Sequence, residues 1–215
     1  MLGARVIALP EEPELPDAIF VEDTAVVLDE IAVLARPGAA SRLAEVDTIE
    51  SVLTTYRPLH RIEAPGTLDG GDVLRVHRAL YVGRSTRTNE AGITQLAQLV
   101  EPLGYRVRAV PVAGCLHLKS ACSHVGDSLV LVNGNWIDTG AFTEVELLEI
   151  DAAEPAAANA VLVEDAILMA SDVPRTADLV RNRGRRVVTV DLSELRKAEA
   201  GGTCMSLIFE ERSEG

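Results

Sequence analysis

The sequence of 215 residues predicts a mixed α/β (α+β) fold, a single domain over residues 1–215 built as a cyclic series of similar units. Three observations predict it. Short apolar runs come in pairs around a polar turn, four times over, which is the pattern of a strand hairpin. A segment with apolar residues at helical spacing follows the pairs, and a further short strand follows three of these segments. The opening residues 2–10 and the internal residues 103–111 share the pattern Leu-Gly-x-Arg-Val-x-Ala-x-Pro. That match marks the start of the chain as the last strand of a unit.

The elements follow in chain order. Residues 25–35 read as the first strand pair, turning at Asp29 and Glu30. Residues 72–83, 123–132 and 159–170 read as the second, third and fourth pairs. Helices are expected over residues 41–56, 89–103 and 174–183, with 143–150 a weaker helical segment. Third strands are expected over residues 59–64, 105–111 and 185–190. The chain ends with residues 204–209, which read as the first strand of a unit. Four units are complete. A fifth is split between the two ends, without its second strand and helix, and closure of the ring would set its terminal strands side by side.

Composition excludes several classes of function. Hydrophobic residues make up 47% and charged residues 25%, which suits a globular domain and not a disordered chain. Aromatics are only 3%, so the core must be built from Val, Leu, Ile and Ala. A net charge of −13 argues against a nucleic-acid partner; it suits a cationic small molecule, although such charge mostly serves solubility. No apolar run reaches the roughly 18 residues of a membrane span, and the start lacks the pattern of a signal peptide. Three cysteines, Cys115, Cys122 and Cys204, lie far from any zinc spacing. An odd count without an export signal points to free thiols and a cytoplasmic location.

Polar residues collect where the strand pairs begin. Asp17, Glu22 and Asp23 place three carboxylates amid Ile19, Phe20 and Val21. Carboxylates at the mouth of an apolar strand are costly to bury unless paired, and a guanidinium fork would pair them. A solvated loop explains them equally well in isolation. Asp69 and Asp72 flank a Gly-Gly turn that lets the backbone approach a neighbour closely. His117 lies between Leu116 and Leu118, a setting that also suits a satisfied core histidine. Cys204 follows Gly201, Gly202 and Thr203 at the edge of a strand, whereas Cys115 and Cys122 read as inert small hydrophobes. A thiol, an imidazole and an acid are the minimum set for thiol catalysis. A pseudo-symmetric ring would bring these equivalent lead-ins together near its axis.

Six segments carry a resemblance to a known family. They are Leu15-Pro-Asp-Ala-Ile-Phe-Val-Glu-Asp23, Arg36-Pro-Gly-Ala-Ala-Ser-Arg42, Thr67-Leu-Asp-Gly-Gly-Asp-Val73, Tyr81-Val-Gly-Arg-Ser-Thr-Arg-Thr-Asn89, Leu116-His-Leu-Lys-Ser120 and Thr203-Cys-Met-Ser206. In this order they resemble the dimethylarginine dimethylaminohydrolase family, part of the pentein group that also holds arginine deiminases and amidinotransferases. The resemblance implies a five-unit α/β propeller with pseudo-fivefold symmetry. It implies Cys204 as nucleophile, His117 as general acid and base, and Asp69 as the group orienting His117. Substrate, a small cationic methylated arginine, would be held by Asp17, Phe20, Glu22, Asp23, Arg42, Arg87 and the Ala198 backbone, and released as citrulline and a methylamine. Arginine deiminase-type chemistry and a catalytically silent pentein remain the alternatives. The family normally carries an N-terminal strand, covering loop and helix ahead of the segment where this chain begins. Their absence is expected to leave the fifth unit incomplete, so that the chain either forms a homodimer across the gap or is poorly soluble.

Overall fold

The computed structural model describes residues 2–211. Each apolar pair becomes an antiparallel hairpin, and each hairpin gains a third strand parallel to its second. The four sheets are β1 (Ala25–Val27), β2 (Ala32–Leu34) and β3 (Leu59–Arg61); β4 (Val73–Val76), β5 (Ala79–Arg84) and β6 (Arg106–Pro111); β7 (Cys122–His124), β8 (Leu129–Val132) and β9 (Glu146–Glu149); and β10 (Val161–Val163), β11 (Ala166–Ala170) and β12 (Arg186–Val190). Helices α1 (Glu45–Leu53), α2 (Glu90–Val100) and α4 (Pro174–Asn182) cross from the second strand to the third in units one, two and four. Helix α2 is capped by Asn89, whose side chain accepts the Gly92 N–H at 2.9 Å. Two short helices, α3 (Leu118–Ala121) and α5 (Ser193–Arg196), lie outside this scheme.

The middle strand of each unit explains the stacking. Side chains alternate faces along a strand, so an uninterrupted apolar run supplies two cores. In β5, Leu80 and Val82 join β1 and β2 residues and α2 in one cluster, while Ala79 and Tyr81 join Val130 and Val132 of β8 in the next. In β8, Leu129 and Leu131 face the fourth unit, against Ile167 and Met169. The cores therefore lie between units. The third strands sit outside and are more exposed, with Arg106, Arg108 and Arg186 keeping those edges charged. First strands β1, β4, β7 and β10, together with residues 206–208, border one cavity of about 270 Å³. Five chain segments around one cavity give the pseudo-fivefold propeller.

Two expectations are corrected. Residues 143–150 form no helix: the third unit turns through a short 3-10 segment, Thr139–Ala141, and then runs directly into β9, paired in parallel with β8. Pairing along β8 outweighs the weak helical pattern of so short a segment. The split fifth unit forms no sheet. Residues 2–10 and 206–211 carry no strand pairing among the described residues. The two segments are nevertheless close. Arg5 pairs with Glu211 at 2.9 Å, and Leu9, Leu207 and Phe209 all pack on the cluster of Leu34, Ile49 and Leu53. Met1 lies outside the described residues. No helix among the described residues is long and apolar enough to cross a membrane.

Candidate active site

A short helical turn precedes the first strand of three units and opens the split one: Val21–Thr24, Gly70–Asp72, α3 and Thr203–Met205. The first of these turns packs against both the second and the last, and the second packs against α3. Gly70 makes that approach possible, since a Cβ there would stand 2.1 Å from the Glu22 carbonyl oxygen. Residues far apart in sequence thus share one neighbourhood.

His117 occupies the N-cap position of α3, and its ring is hydrogen-bonded to Asp69, with Asp23 near its other nitrogen. Nε2 lies 2.9 Å from Asp69 Oδ2, and Nδ1 lies 3.8 Å from Asp23 Oδ1. Asp69 is fully buried; its other oxygen accepts the Gly38 N–H at 2.8 Å. Burial alone would lower the His117 pKa, but Asp69, Asp23 and Asp72 together raise it above the ordinary histidine value. Asp72 accepts from Ser85 at 2.6 Å and from the Leu118 N–H at 2.9 Å, so it braces α3 from below the histidine. Donor atoms of Asp23, Asp69 and His117 lie within 4.8 Å of one another, close enough for a cation. A metal ion there would compete for oxygens already bonded to Arg42, Gly38 and Gly71.

Glu22 is buried and doubly bonded, to Lys119 Nζ at 2.8 Å and to the Thr203 hydroxyl at 2.8 Å. Burial raises its pKa against the lowering effect of Lys119. Cys204 is half-buried in the last turn, where its sulfur accepts the Gly201 N–H at 3.4 Å. Its pKa is raised, first by burial and then by the charge on Glu22, with Asp23 a smaller contribution. Burial therefore outranks the carboxylates as the cause. Cys115 and Cys122 sit in the core between units two and three; burial pushes Cys115 up to about 11 and raises Cys122 further.

The remaining expected residues divide. Asp17 is half-buried, and its carboxylate has no hydrogen bond or ion pair among the described residues. Phe20 lies 6.0 Å from the Arg42 guanidinium, ring centroid to Cζ. Arg87 is half-buried with its guanidinium unpaired among the described residues. Ala198 is exposed in the turn after α5, its N–H bonded to Leu195 at 2.9 Å. Arg42, expected among the residues that hold substrate, is occupied by the protein itself. Its guanidinium is buried and bonds Asp23 at 2.6 Å, both oxygens of Glu45, and the carbonyls of Asp17 and Phe20. A buried guanidinium has to be paired, and the local acids satisfy it. Burial lowers its pKa, but Glu45 and Asp23 outweigh that and raise it. Glu45, Lys119, Thr203 and Asn159 hold the site together without having been singled out for a role. Lys119 and Thr203 lie inside the motif segments; Glu45 and Asn159 carry no local signal beyond a polar residue at the start of an apolar element.

Among the described residues, twelve strands in four three-stranded units, around an axis toward which lead-in turns bring an imidazole, a thiol and carboxylates, make up the pentein arrangement. No family model matches the chain. A Streptomyces coelicolor protein named N(G),N(G)-dimethylarginine dimethylaminohydrolase is 39% identical over 211 residues, spanning 97% of this chain and 81% of the relative. Its Pseudomonas aeruginosa namesake is 35% identical over 206 residues, spanning 95% and 81%. The solved structure of a mutant of that Pseudomonas aeruginosa enzyme, complexed with citrulline, superposes with a TM-score of 0.88 at 35% identity, covering 92% of this chain and 78% of that one. The chain belongs to the dimethylarginine dimethylaminohydrolase family.

Proposed function

We propose that the chain is an amidine hydrolase that converts Nω-methylated arginine to citrulline and a methylamine, with Cys204 as nucleophile. The observation that carries this reading is the His117–Asp69 contact of 2.9 Å inside a group of buried carboxylates, next to the turn that bears the thiol, in a chain of this family. Asp17, Glu22 and Asp23 offer negative charge to a guanidinium, with Phe20 beside them. Arg87, whose guanidinium is unpaired among the described residues, is the group for the substrate carboxylate; Arg42 serves by holding Asp23, and the Ala198 backbone is the group beside the amino group.

The chemistry follows from the charges. An empty site keeps Cys204 protonated, since burial and Glu22 oppose a second anion. A bound guanidinium supplies the positive charge that favours the thiolate, and the thiol proton leaves to solvent. The thiolate adds to the guanidinium carbon, forming a C–S bond and a tetrahedral adduct. His117 as imidazolium gives its proton to the departing amine as the C–N bond breaks, leaving an S-alkylthiouronium on Cys204. His117 as imidazole then takes a proton from water, the hydroxide adds to the same carbon, and breakage of the C–S bond frees citrulline and the thiol. Asp69 fixes the ring throughout. No step calls for a metal or an organic cofactor.

The partner is a cationic amino acid and not nucleic acid, as the net charge of −13 supports. Three free cysteines support a cytoplasmic setting. Exposed apolar Val6, Ile7 and Ile208 support self-association as a homodimer. The test of function is turnover of dimethylarginine and of arginine side by side, with citrulline, methylamine and ammonia measured. Equal amounts of citrulline and dimethylamine, formed faster than ammonia from arginine, are expected. Faster ammonia release would move the assignment to arginine deiminase chemistry, and no citrulline from either would overturn the reading.

A further inference from the structure

Asn159 stands just ahead of β10, in the lead-in of the fourth unit, which contributes nothing to the cluster around His117. Its amide nitrogen donates to the Lys119 carbonyl at 3.0 Å and to the Thr203 hydroxyl at 3.0 Å. Its amide oxygen accepts the Thr203 N–H at 3.2 Å. A carbonyl on one side and an N–H on the other allow only one orientation of the amide. The Thr203 hydroxyl accepts a hydrogen bond from Asn159 and donates one to Glu22, and Lys119 closes the circuit on the other Glu22 oxygen. Asn159, Thr203, Glu22 and Lys119 therefore form a closed hydrogen-bonded ring whose members come from three units and the split one. Asn159 and Thr203 thereby orient each other, and both Glu22 oxygens are held as acceptors.

The ring joins the two halves of the proposed chemistry. Thr203 immediately precedes Cys204, and Lys119 follows His117 by two residues in α3. Gly201, whose N–H points at the Cys204 sulfur, leaves no space over the amide: a Cβ there would stand 2.3 Å from Asn159 atoms. Asn159 itself makes no hydrogen bond to Cys204 or His117 among the described residues. We infer that Asn159 is a positioning residue, setting the thiol turn against the histidine turn and aligning both Glu22 oxygens. The inference rests on the function proposed above.

The test uses replacements that conserve shape. Asn159→Asp loses both donated bonds, Thr203→Val loses the hydroxyl, and Thr203→Ser restores it. In each variant kcat and KM for dimethylarginine are measured, and labelling of Cys204 by a cationic 2-haloacetamidine is followed by intact mass. Misplacing a reacting group by about 1 Å costs up to about a hundredfold, so kcat should fall about tenfold or more in Asn159→Asp and Thr203→Val. KM should change by no more than about threefold, and Cys204 labelling should slow in step with kcat. Thr203→Ser should recover most of the loss. Wild-type kcat and labelling in the first two variants, or a change confined to KM, would overturn the inference. If Asn159→Asp does not fold, the Thr203→Val and Thr203→Ser pair decides. If the unaltered chain releases no citrulline, the proposed function fails, while the labelling series still decides the role of Asn159.

Discussion

At the level of single residues, the account turns on two groups whose protonation is set by their surroundings. Cys204 has a raised pKa, so the free protein should hold a thiol and not a thiolate at neutral pH. With Cys115 and Cys122 replaced by alanine, thiolate absorbance against pH should give a midpoint above the ordinary ~8.5, falling when a non-cleavable amidine is bound. A thiolate already complete at neutral pH in the free protein would mean a standing ion pair with His117 instead. His117 has a raised pKa, which Asp69 supports by hydrogen bond at 2.9 Å. Its acid form is lost as pH rises through that value, so activity should decline on the alkaline side. Asp69→Asn removes a raising charge and should move that decline to lower pH while reducing kcat; a pH–rate profile whose alkaline limb stays in place would contradict the assignment. Legibility at this scale was uneven. Cys204, His117 and Asp69 each had a bland reading when taken alone, and only the ordered set of six motif segments drew them into one expected site. Arg42 could not be read correctly, because nothing local tells a free guanidinium from one tied to Glu45 and Asp23.

At the level of elements, the hairpins and their helices were legible because an apolar run with both faces buried looks the same wherever it recurs. Residues 143–150 were not, since the partner that makes them a strand, β8, is a tertiary neighbour. The same stacking makes the middle strands the most sensitive positions for stability. Leu131 in β8 is fully buried between units three and four. Leu131→Ala should cost about 2–5 kcal/mol, measured by denaturant unfolding, because the surrounding strands can close only part of the cavity. The folded fraction should keep its KM. A loss under 1 kcal/mol, on the order of a surface change, would show that the units do not share that core.

At the level of the whole molecule, ring closure depends on contacts that no periodicity records. Asp29 and Glu30 in the first unit meet Arg75 and Arg78 in the second, and Tyr105 packs under both arginines. Arg106 and Arg108 in the second unit reach Glu144 in the third, and Arg185 in the fourth meets Asp127 at 2.6 Å. Such exposed pairs are worth little singly, so the apolar clusters between units carry the assembly. The split unit is the weak point: Val6 is 86% exposed and Ile208 53%. Light scattering at rising concentration should show a dimer, and replacing Val6 and Ile208 together by Lys should shift it to monomer; a wild-type monomer at every concentration would contradict the dimer.

The central claim, that Cys204 attacks the guanidinium carbon in a site assembled from separate units, has one direct measurement. Turnover of dimethylarginine is quenched with acid within the first cycle, and the protein is digested and mapped by mass. The account predicts a transient adduct equal to the substrate less dimethylamine, confined to the peptide containing Cys204 and absent from Cys204→Ser. An adduct on Cys115 or Cys122, or full citrulline release by Cys204→Ser, would contradict it.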